Sequence, residues 1–242
     1  MEEMPIHLYF GIMQFSVIIP VFNEEENIAA RVLFLRQFGG ESIKEIIVVD
    51  GRSDDSTREV AEASGAVVFE CPQQSRAAQM NLGAKHATGE ILYFTHADVE
   101  LLASFVNDIH SALNEGHDAG CYRYVFDSKK FMLRINAWFT RFDRLMCRGG
   151  DQTLFIKRDV FQELHGFDEN YTIMEDYDLI IRLRKKYSFR IIQKDVTTSA
   201  RKYDTNSWLR VQVSNLTVFI MFYLNVAPDT MKRAYARMLH YR

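Results

Sequence analysis

"EIIVVDGRSDDSTREVAEASGAVVFEC", residues 45–71, decides the fold. Its first six residues are a β-branched run that ends in Asp50. "DDSTREVAEASG" then carries a Ser/Thr start and a glycine stop, the marks of a short helix, and "AVVFEC" is a second apolar run. Two strands joined through a helix rather than a tight turn lie parallel. The same alternation continues in both directions. Upstream, "FSVIIPVF" (15–22) reads as a strand closed by Pro20, and "NEEENIAARVLFLRQF" places Ile28, Val32 and Leu35 on one helical face with acids in the first turn. Downstream, "SRAAQMNLGAKHATG" is a helix and "EILYFTHAD" a fourth strand. Strands alternating with helices imply a mostly parallel sheet covered on both faces, and such sheets bind ligands at the C-terminal ends of their strands.

The pattern changes after residue 114. "DAGCYRYVF" and "DQTLFIKRDVF" read as strands separated by an amphipathic segment over 130–146. A helix is expected over 101–113, and "EDYDLIIRLRKKY" is another with Leu179, Ile180 and Leu183 inward. The expected fold class is α/β: a mostly parallel central sheet with helices on both faces and a helical C-terminal extension. Residues 1–242 are expected to form one domain, divided into 15–115, 116–200 and 201–242.

The 242 residues are 48% hydrophobic and 25% charged, the composition of an ordinary globular protein. A net charge of -3 gives no general basic surface, which argues against a nucleic-acid partner. Cys71, Cys121 and Cys147 are odd in number and lack any C-x-x-C pair, as expected of reduced thiols in the cytoplasm, and a zinc site is not indicated. The N-terminal "MEEMPIHLYFGIMQF" starts acidic, unlike a secretory signal. The apolar run "LTVFIMFYLNVA" (216–227) is shorter than the ~20 residues a spanning helix needs, so it is either packed or lies on a membrane surface. "FMLRINAWFTRFDRLM" (131–146) mixes Phe, Trp and Leu with Arg at helical spacing. The two segments together bring in peripheral membrane contact, at the inner face of the membrane, as a partner class.

Acids collect where strands end: Asp50 after "EIIVV", Asp98 after "ILYFTHA" and Asp151 in "RGGDQTLF". Glu175 and Asp176 open the helix of "EDYDLIIRL". Each has an ordinary reading, since Asp50 could start a turn, Asp98 could cap the following helix and Glu175 and Asp176 could complement a helix dipole. At one edge of one sheet, together, they point to a site.

"SVIIPVFNEEENI", "EIIVVDGRSDDST", "SRAAQMNLGAKHATGEILYFTHAD" and "GFDENYTIMEDYDLIIRL" follow in order the motifs of family 2 glycosyltransferases with the GT-A fold, and the chain resembles that family from about residue 15 to 192. The His-Ala-Asp form and "GGDQTLFIKRDVF" are most similar to small bacterial and cyanobacterial transferases of radical-SAM or arsenosugar-type gene neighbourhoods.

The resemblance implies a nucleotide-diphosphate sugar donor, UDP- or GDP-linked, and an inverting transfer to an acceptor hydroxyl. It makes 15–115 the nucleotide-binding half and 116–200 the acceptor half. It places Asp50 as acceptor of a base N–H, with the Pro20 to Glu24 loop as the wall beside it, Arg76 near the nucleotide and His96 on the ribose. Asp98 would hold a divalent cation, Mg or Mn, against the diphosphate. His96 stands where the family's Asp-x-Asp has its first acid, a departure that bears on metal affinity. Asp176 matches the catalytic base, Glu175 would orient it or contact the acceptor, and Asp151 and Gln152 are acceptor or donor-sugar contacts. Asn81 and Gly83 are read as serving helix packing. Arg201 and Lys202 are candidates to neutralise the diphosphate. A sugar nucleotidyltransferase would open with a Gly-rich loop, which "PVFNEEEN" lacks; a non-catalytic or membrane-associated scaffold of the same fold is the remaining alternative.

Overall fold

The computed structural model describes residues 13–148 and 152–240. The acidic N-terminal start and Asp151, with the two glycines before it, lie outside the described residues. The order along the chain is β1 (Phe15–Val21), α1 (Glu25–Gly39), β2 (Ile43–Asp50), α2 (Thr57–Ala63), β3 (Val67–Glu70), α3 (Arg76–His86) and β4 (Ile91–Phe94). It continues with β5 (Val99–Glu100), α4 (Phe105–Asn114), β6 (Ala119–Phe126), α5 (Phe131–Phe139), β7 (Leu154–Lys157), α6 (Arg158–Glu163), α7 (Glu175–Arg184) and β8 (Phe189–Thr198). Three helices close it: α8 (Lys202–Thr205), α9 (Trp208–Tyr223) and α10 (Pro228–Met238).

Among the described residues the strands form one sheet in the order β3-β2-β1-β4-β7-β6-β8-β5. β3, β2, β1 and β4 are parallel, as the helical crossovers require. β7 runs antiparallel to both β4 and β6, β8 is parallel to β6, and β5 is antiparallel to β8. Period-two alternation splits the apolar residues of each strand between two cores. Val17, Ile19 and Val48 meet Ile28, Val32 and Leu35 of α1 and Phe105 and Ile109 of α4. Ile18, Ile47 and Val49 meet Ala77, Met80 and Ala84 of α3 and Leu179 and Leu183 of α7. The β-branched runs could bury both faces only with helices on each side.

The chain leaves β1 towards β2 and β3, then returns to place β4 on the other side of β1. That reversal opens a crevice beyond the ends of β1 and β4, where ligands bind in open α/β sheets. Pro20 sits at this edge. β4 stops at Phe94 opposite Ile18, so the missing Pro20 N–H breaks no ladder on that side.

Three expectations shift. The helix expected from 101 begins at Phe105, because Val99 and Glu100 pair with Thr198 and Thr197 as β5. The "DVF" end of the strand expected over 151–161 is the start of α6. The 131–146 segment is helical only to Phe139 and then turns back through a 3-10 turn at Leu145–Cys147. Beyond the sheet, α5 and the C-terminal helices share a separate core of Leu133, Ala200, Tyr203, Val211 and Leu239.

Candidate functional site

Two loops, at the C-terminal ends of β1 and β2, are laced together before any ligand is considered. Asn23 N–H donates to Ser53 Oγ (2.9 Å), Asp54 N–H to Asn23 Oδ1 (3.1 Å) and Glu24 N–H to Thr57 Oγ1 (2.8 Å). Gln79, on buried α3, donates from one Nε2 to the carbonyls of Val21 (2.9 Å) and Val49 (2.8 Å), tying the ends of β1 and β2. Asn23 and Arg52 hold left-handed backbone at φ 54° and 67°, and Met174, just before Glu175, does so at φ 71°. Such conformations cost of order 1–3 kcal/mol each and gather where function constrains the backbone.

Asp50 ends β2 fully buried. Its carboxylate accepts from Arg52 N–H (3.1 Å), Ser53 N–H (3.0 Å) and Ser53 Oγ–H (2.5 Å), with the Arg58 guanidinium at 3.9 Å. The ordinary reading holds here as a fact: Asp50 builds the turn that shapes the floor of the crevice. Asp98 is different. The helix it could have capped starts seven residues later, and its carboxylate instead faces Arg201, with Oδ2 at 3.2 Å from Nη2. The same Arg201 Nη2 donates to Glu24 Oε1 at 2.6 Å, while Glu24 Oε2 accepts from Asn27 at 2.7 Å. The ends of β1 and β4 and the start of α8 thus meet on one guanidinium. His96 lies between β4 and Asp98, and its carbonyl accepts from Val99 N–H (3.3 Å), closing the turn that presents Asp98.

Arg76 opens α3 and Glu175 opens α7; Nη1 and Oε1 are 3.8 Å apart, with Glu175 buried. Glu175, Asp176 and Asp178 occupy the first turn of α7, where the helix dipole favours carboxylates. Asp176 and Gln152 line one small cavity with Cys121, Thr153 and Phe189. Gln152 donates to Tyr122 O at 3.3 Å. The structure therefore gathers Glu24, Asp98 and Arg201 in one group, Arg76 with Glu175 in a second, and Asp176 with Gln152 in a third, while Asp50 and Pro20 shape the loops between β1 and β2. Asn81 does more than pack: it accepts from Phe167 N–H and donates to Phe167 O and Glu169, holding the loop that leads to α7. Gly83 is a packing position, since a Cβ there would stand 2.5 Å from Ile18.

One contributor lacked a sequence signal. Arg31 is a buried guanidinium on α1; burial lowers its pKa, and the fields of Glu100, Tyr93 and Asp98 oppose that shift. Nothing in "NIAARVLF" distinguishes it from a surface arginine. The thiols of Cys121 and Cys147 are pushed up by burial, the opposite of what a nucleophilic cysteine needs. Among the described residues no three His, Cys, Asp or Glu side chains converge as a metal cage. Asp98 is an oxygen donor of the kind a hard cation takes, although a cation there would compete with Arg201 for the carboxylate. Magnesium sites commonly use one or two carboxylates and take the rest from substrate phosphates and water.

The model of the family described as "Glycosyl transferase family 2" matches residues 16–166. Glycosyltransferase AglE of Haloferax volcanii is 37% identical over 90 residues, covering 34% of this chain and 30% of that protein. The 4,4'-diaponeurosporenoate glycosyltransferase of Staphylococcus haemolyticus is 35% identical over 94 residues, 36% of this chain and 24% of that one. The match thus spans less than a third of either relative. Among solved structures, glucosyl-3-phosphoglycerate synthase of Mycobacterium tuberculosis, in complex with Mn2+, UDP and glucosyl-3-phosphoglycerate, superposes with a TM-score of 0.65 at 16% identity, over 89% of this chain and 80% of that one. Residues 1–349 of TarS from S. aureus give 0.64 at 16%, over 93% and 70%. These likenesses show the GT-A fold. With the family model covering well over half of its length, the chain belongs to glycosyl transferase family 2.

Proposed function

We propose that the protein transfers a sugar, with inversion, from a UDP- or GDP-linked donor to an acceptor hydroxyl. The observation that carries this reading is the meeting of Glu24, Asp98 and Arg201 at the crevice beside β1 and β4. In this reading the nucleotide lies over the ends of β1 and β2, with Pro20 and Glu24 beside the base, Asp50 beneath it, Arg76 near the phosphates and His96 on the ribose. Asp176 takes the proton of the acceptor hydroxyl as its oxygen bonds to the anomeric carbon. The bond from that carbon to the diphosphate breaks, its electron pair leaving with the nucleoside diphosphate. Glu175, anchored by Arg76, orients the acceptor side; Gln152 and Asp151 contact a sugar there. A divalent cation, Mg or Mn, held by Asp98 and the diphosphate would supply Lewis-acid stabilisation of the leaving group. Mn2+ or Mg2+ accompanies UDP in the mycobacterial synthase, which supports that assignment. The His96-Ala97-Asp98 form and "GGDQTLFIKRDVF" (149–161) extend the reading to the small radical-SAM or arsenosugar-type subgroup. A cytoplasmic location goes with three cysteines outside disulfides.

Calorimetric titration with UDP and GDP, with and without Mn2+, tests the reading. One nucleotide is expected to bind in a Mn-dependent manner that Asp98→Ala removes. Asp176→Asn is expected to cut turnover about a hundredfold or more while leaving that binding intact. Unchanged turnover in Asp176→Asn would remove Asp176 from the mechanism, and absence of binding to either nucleotide would overturn the donor assignment.

A further inference from the structure

After α5 the chain folds back through Thr140–Arg144, and this return is fixed from inside. Arg148, buried, donates from Nη2 to the carbonyls of Thr140 (2.8 Å) and Phe142 (2.6 Å) and from Nη1 to Cys121 Sγ (3.0 Å). What the clamped loop presents outward is apolar. Phe131 is 69% exposed, Trp138 46%, Phe139 48%, Phe142 40% and Met146 69%. Trp138 stacks edge-on with Phe142 (4.8 Å) and Phe139 (5.2 Å), and the Arg141 guanidinium lies 5.0 Å over the Trp138 ring. A rigid cluster of exposed aromatics is not surface noise: contiguous apolar patches on monomers mark something they touch.

A second exposed surface runs along α9. Val211, Ser214 and Val218 face inward, whereas Leu209, Val213, Leu216 and Ile220 recur every three or four residues on the solvent side, followed by Leu224. Tyr177, the neighbour of Asp176, touches the arginine that clamps the loop and the inner flank of α9. The Tyr177 hydroxyl donates to the carbonyl of Arg148, and its ring packs on Phe219 (5.9 Å) and Phe222 (6.3 Å) of α9.

Charge selects the occupant. Residues 131–146 and α9 carry Arg134, Arg141, Arg144 and Arg210 against Asp143 alone, in a chain whose net charge is -3. Asp143 is itself paired with Arg184. Aromatic and aliphatic side chains interleaved with basic ones are what an anionic bilayer surface holds, the rings entering the headgroup region and the cations meeting lipid phosphates. A second copy docking face to face would instead oppose like charges across a two-fold axis. We propose that the clamped 131–146 loop and the outer face of α9 dock on an anionic lipid bilayer, placing the mouth beside Asp176 and Tyr177 at the membrane surface. The docking stands independently of the transferase reading, so its test needs no turnover.

The test is co-sedimentation of the full chain with vesicles of phosphatidylcholine alone and of phosphatidylcholine mixed with phosphatidylglycerol. Binding is expected to the mixed vesicles, to weaken with added salt, and to fall about tenfold or more in Trp138→Ser/Phe142→Ser, whose side chains are half-exposed in the free protein. Arg141→Glu/Arg144→Glu, which leaves the apolar residues in place, is expected to abolish the phosphatidylglycerol dependence, and it decides the matter if the aromatic variant fails to fold. No binding to mixed vesicles, or equal binding by wild type and the charge-reversed variant, overturns the proposal. So does a wild-type dimer that the aromatic substitutions dissociate and that ignores vesicles.

Discussion

Arg201 reaches across 177 residues of sequence to bond Glu24, and it sits on Asp98 as well. One guanidinium neutralising two carboxylates has opposite effects on two ligands. A diphosphate gains a cation at the crevice, worth about 1.5–3 kcal/mol when the hydrogen bond is charged. A divalent cation approaching Asp98 must compete with it. Arg201→Ala is therefore expected to weaken UDP binding about tenfold in the absence of metal, and to tighten Mn2+ binding in the absence of nucleotide. Calorimetry of each ligand alone reads both signs. Parallel weakening of both would mean that Arg201 only holds the loops together.

At the scale of elements, close approach separates two glycines. A Cβ at Gly83 would stand 2.5 Å from Ile18 Cγ2, a side-chain methyl, whereas one at Gly120 would stand 2.3 Å from the Arg190 carbonyl oxygen, a backbone atom of the neighbouring strand. Alanine gains about 1 kcal/mol over glycine inside a helix, against about 1–3 kcal/mol for overpacking. Gly83→Ala should thus lose about 1 kcal/mol, while Gly120→Ala prises β6 from β8 and loses clearly more; urea unfolding of the two variants checks the order. Asp118 links the starts of β6 and β8 to β7. Burial alone would raise its pKa, but bonds from Lys157 Nζ (2.8 Å) and Ser188 N–H (3.0 Å) outweigh that, and the net shift is downward. A lowered folded-state pKa contributes stability that is present above the unfolded value, about 3.9, and is lost as pH falls through the folded one. Asp118→Asn should therefore flatten the loss of stability below about pH 4, measured by urea midpoints across that range.

What sequence could tell about these elements follows from what makes them. The strands β1 to β4 and the helices between them announce themselves because both sheet faces are buried, leaving unbroken β-branched runs with cap and stop residues between. β8 was missed: "FRIIQKDVTT" has a solvated stretch at Gln193 to Asp195, and β5 is two residues that exist only by pairing with it. Asp50 and Asp98 are legible as strand-end acids, and Glu175 and Asp176 as acids that open a helix. Arg201 was visible as a cation without a place, and its partners could not be read, because a contact between the first and last parts of the chain leaves no local pattern. Arg31 looks like any helix arginine until burial is known.

At the scale of the whole molecule, the crevice is built from both ends of the chain. Glu24 and Asp98 belong to the parallel half of the sheet, and Arg201 opens the helical extension whose core of Leu133, Tyr203 and Val211 stands apart from the sheet's two cores. A ligand seated there bridges parts that the ion pairs of Arg201 also join, so it should stabilise the molecule as a unit. A ligand at a hundred times its Kd adds about 2.7 kcal/mol to the folded state. For a chain of this size each kcal/mol moves Tm by about 2–4 °C, which makes the expected shift roughly 5–10 °C. UDP or GDP with Mn2+ should give that shift as one sharper transition in a thermal melt, and Asp98→Ala should lose the part that depends on Mn2+. A melt in which the extension unfolds first and the nucleotide moves only the second step would show that the ligand touches the sheet alone, and would take Arg201 out of the binding site.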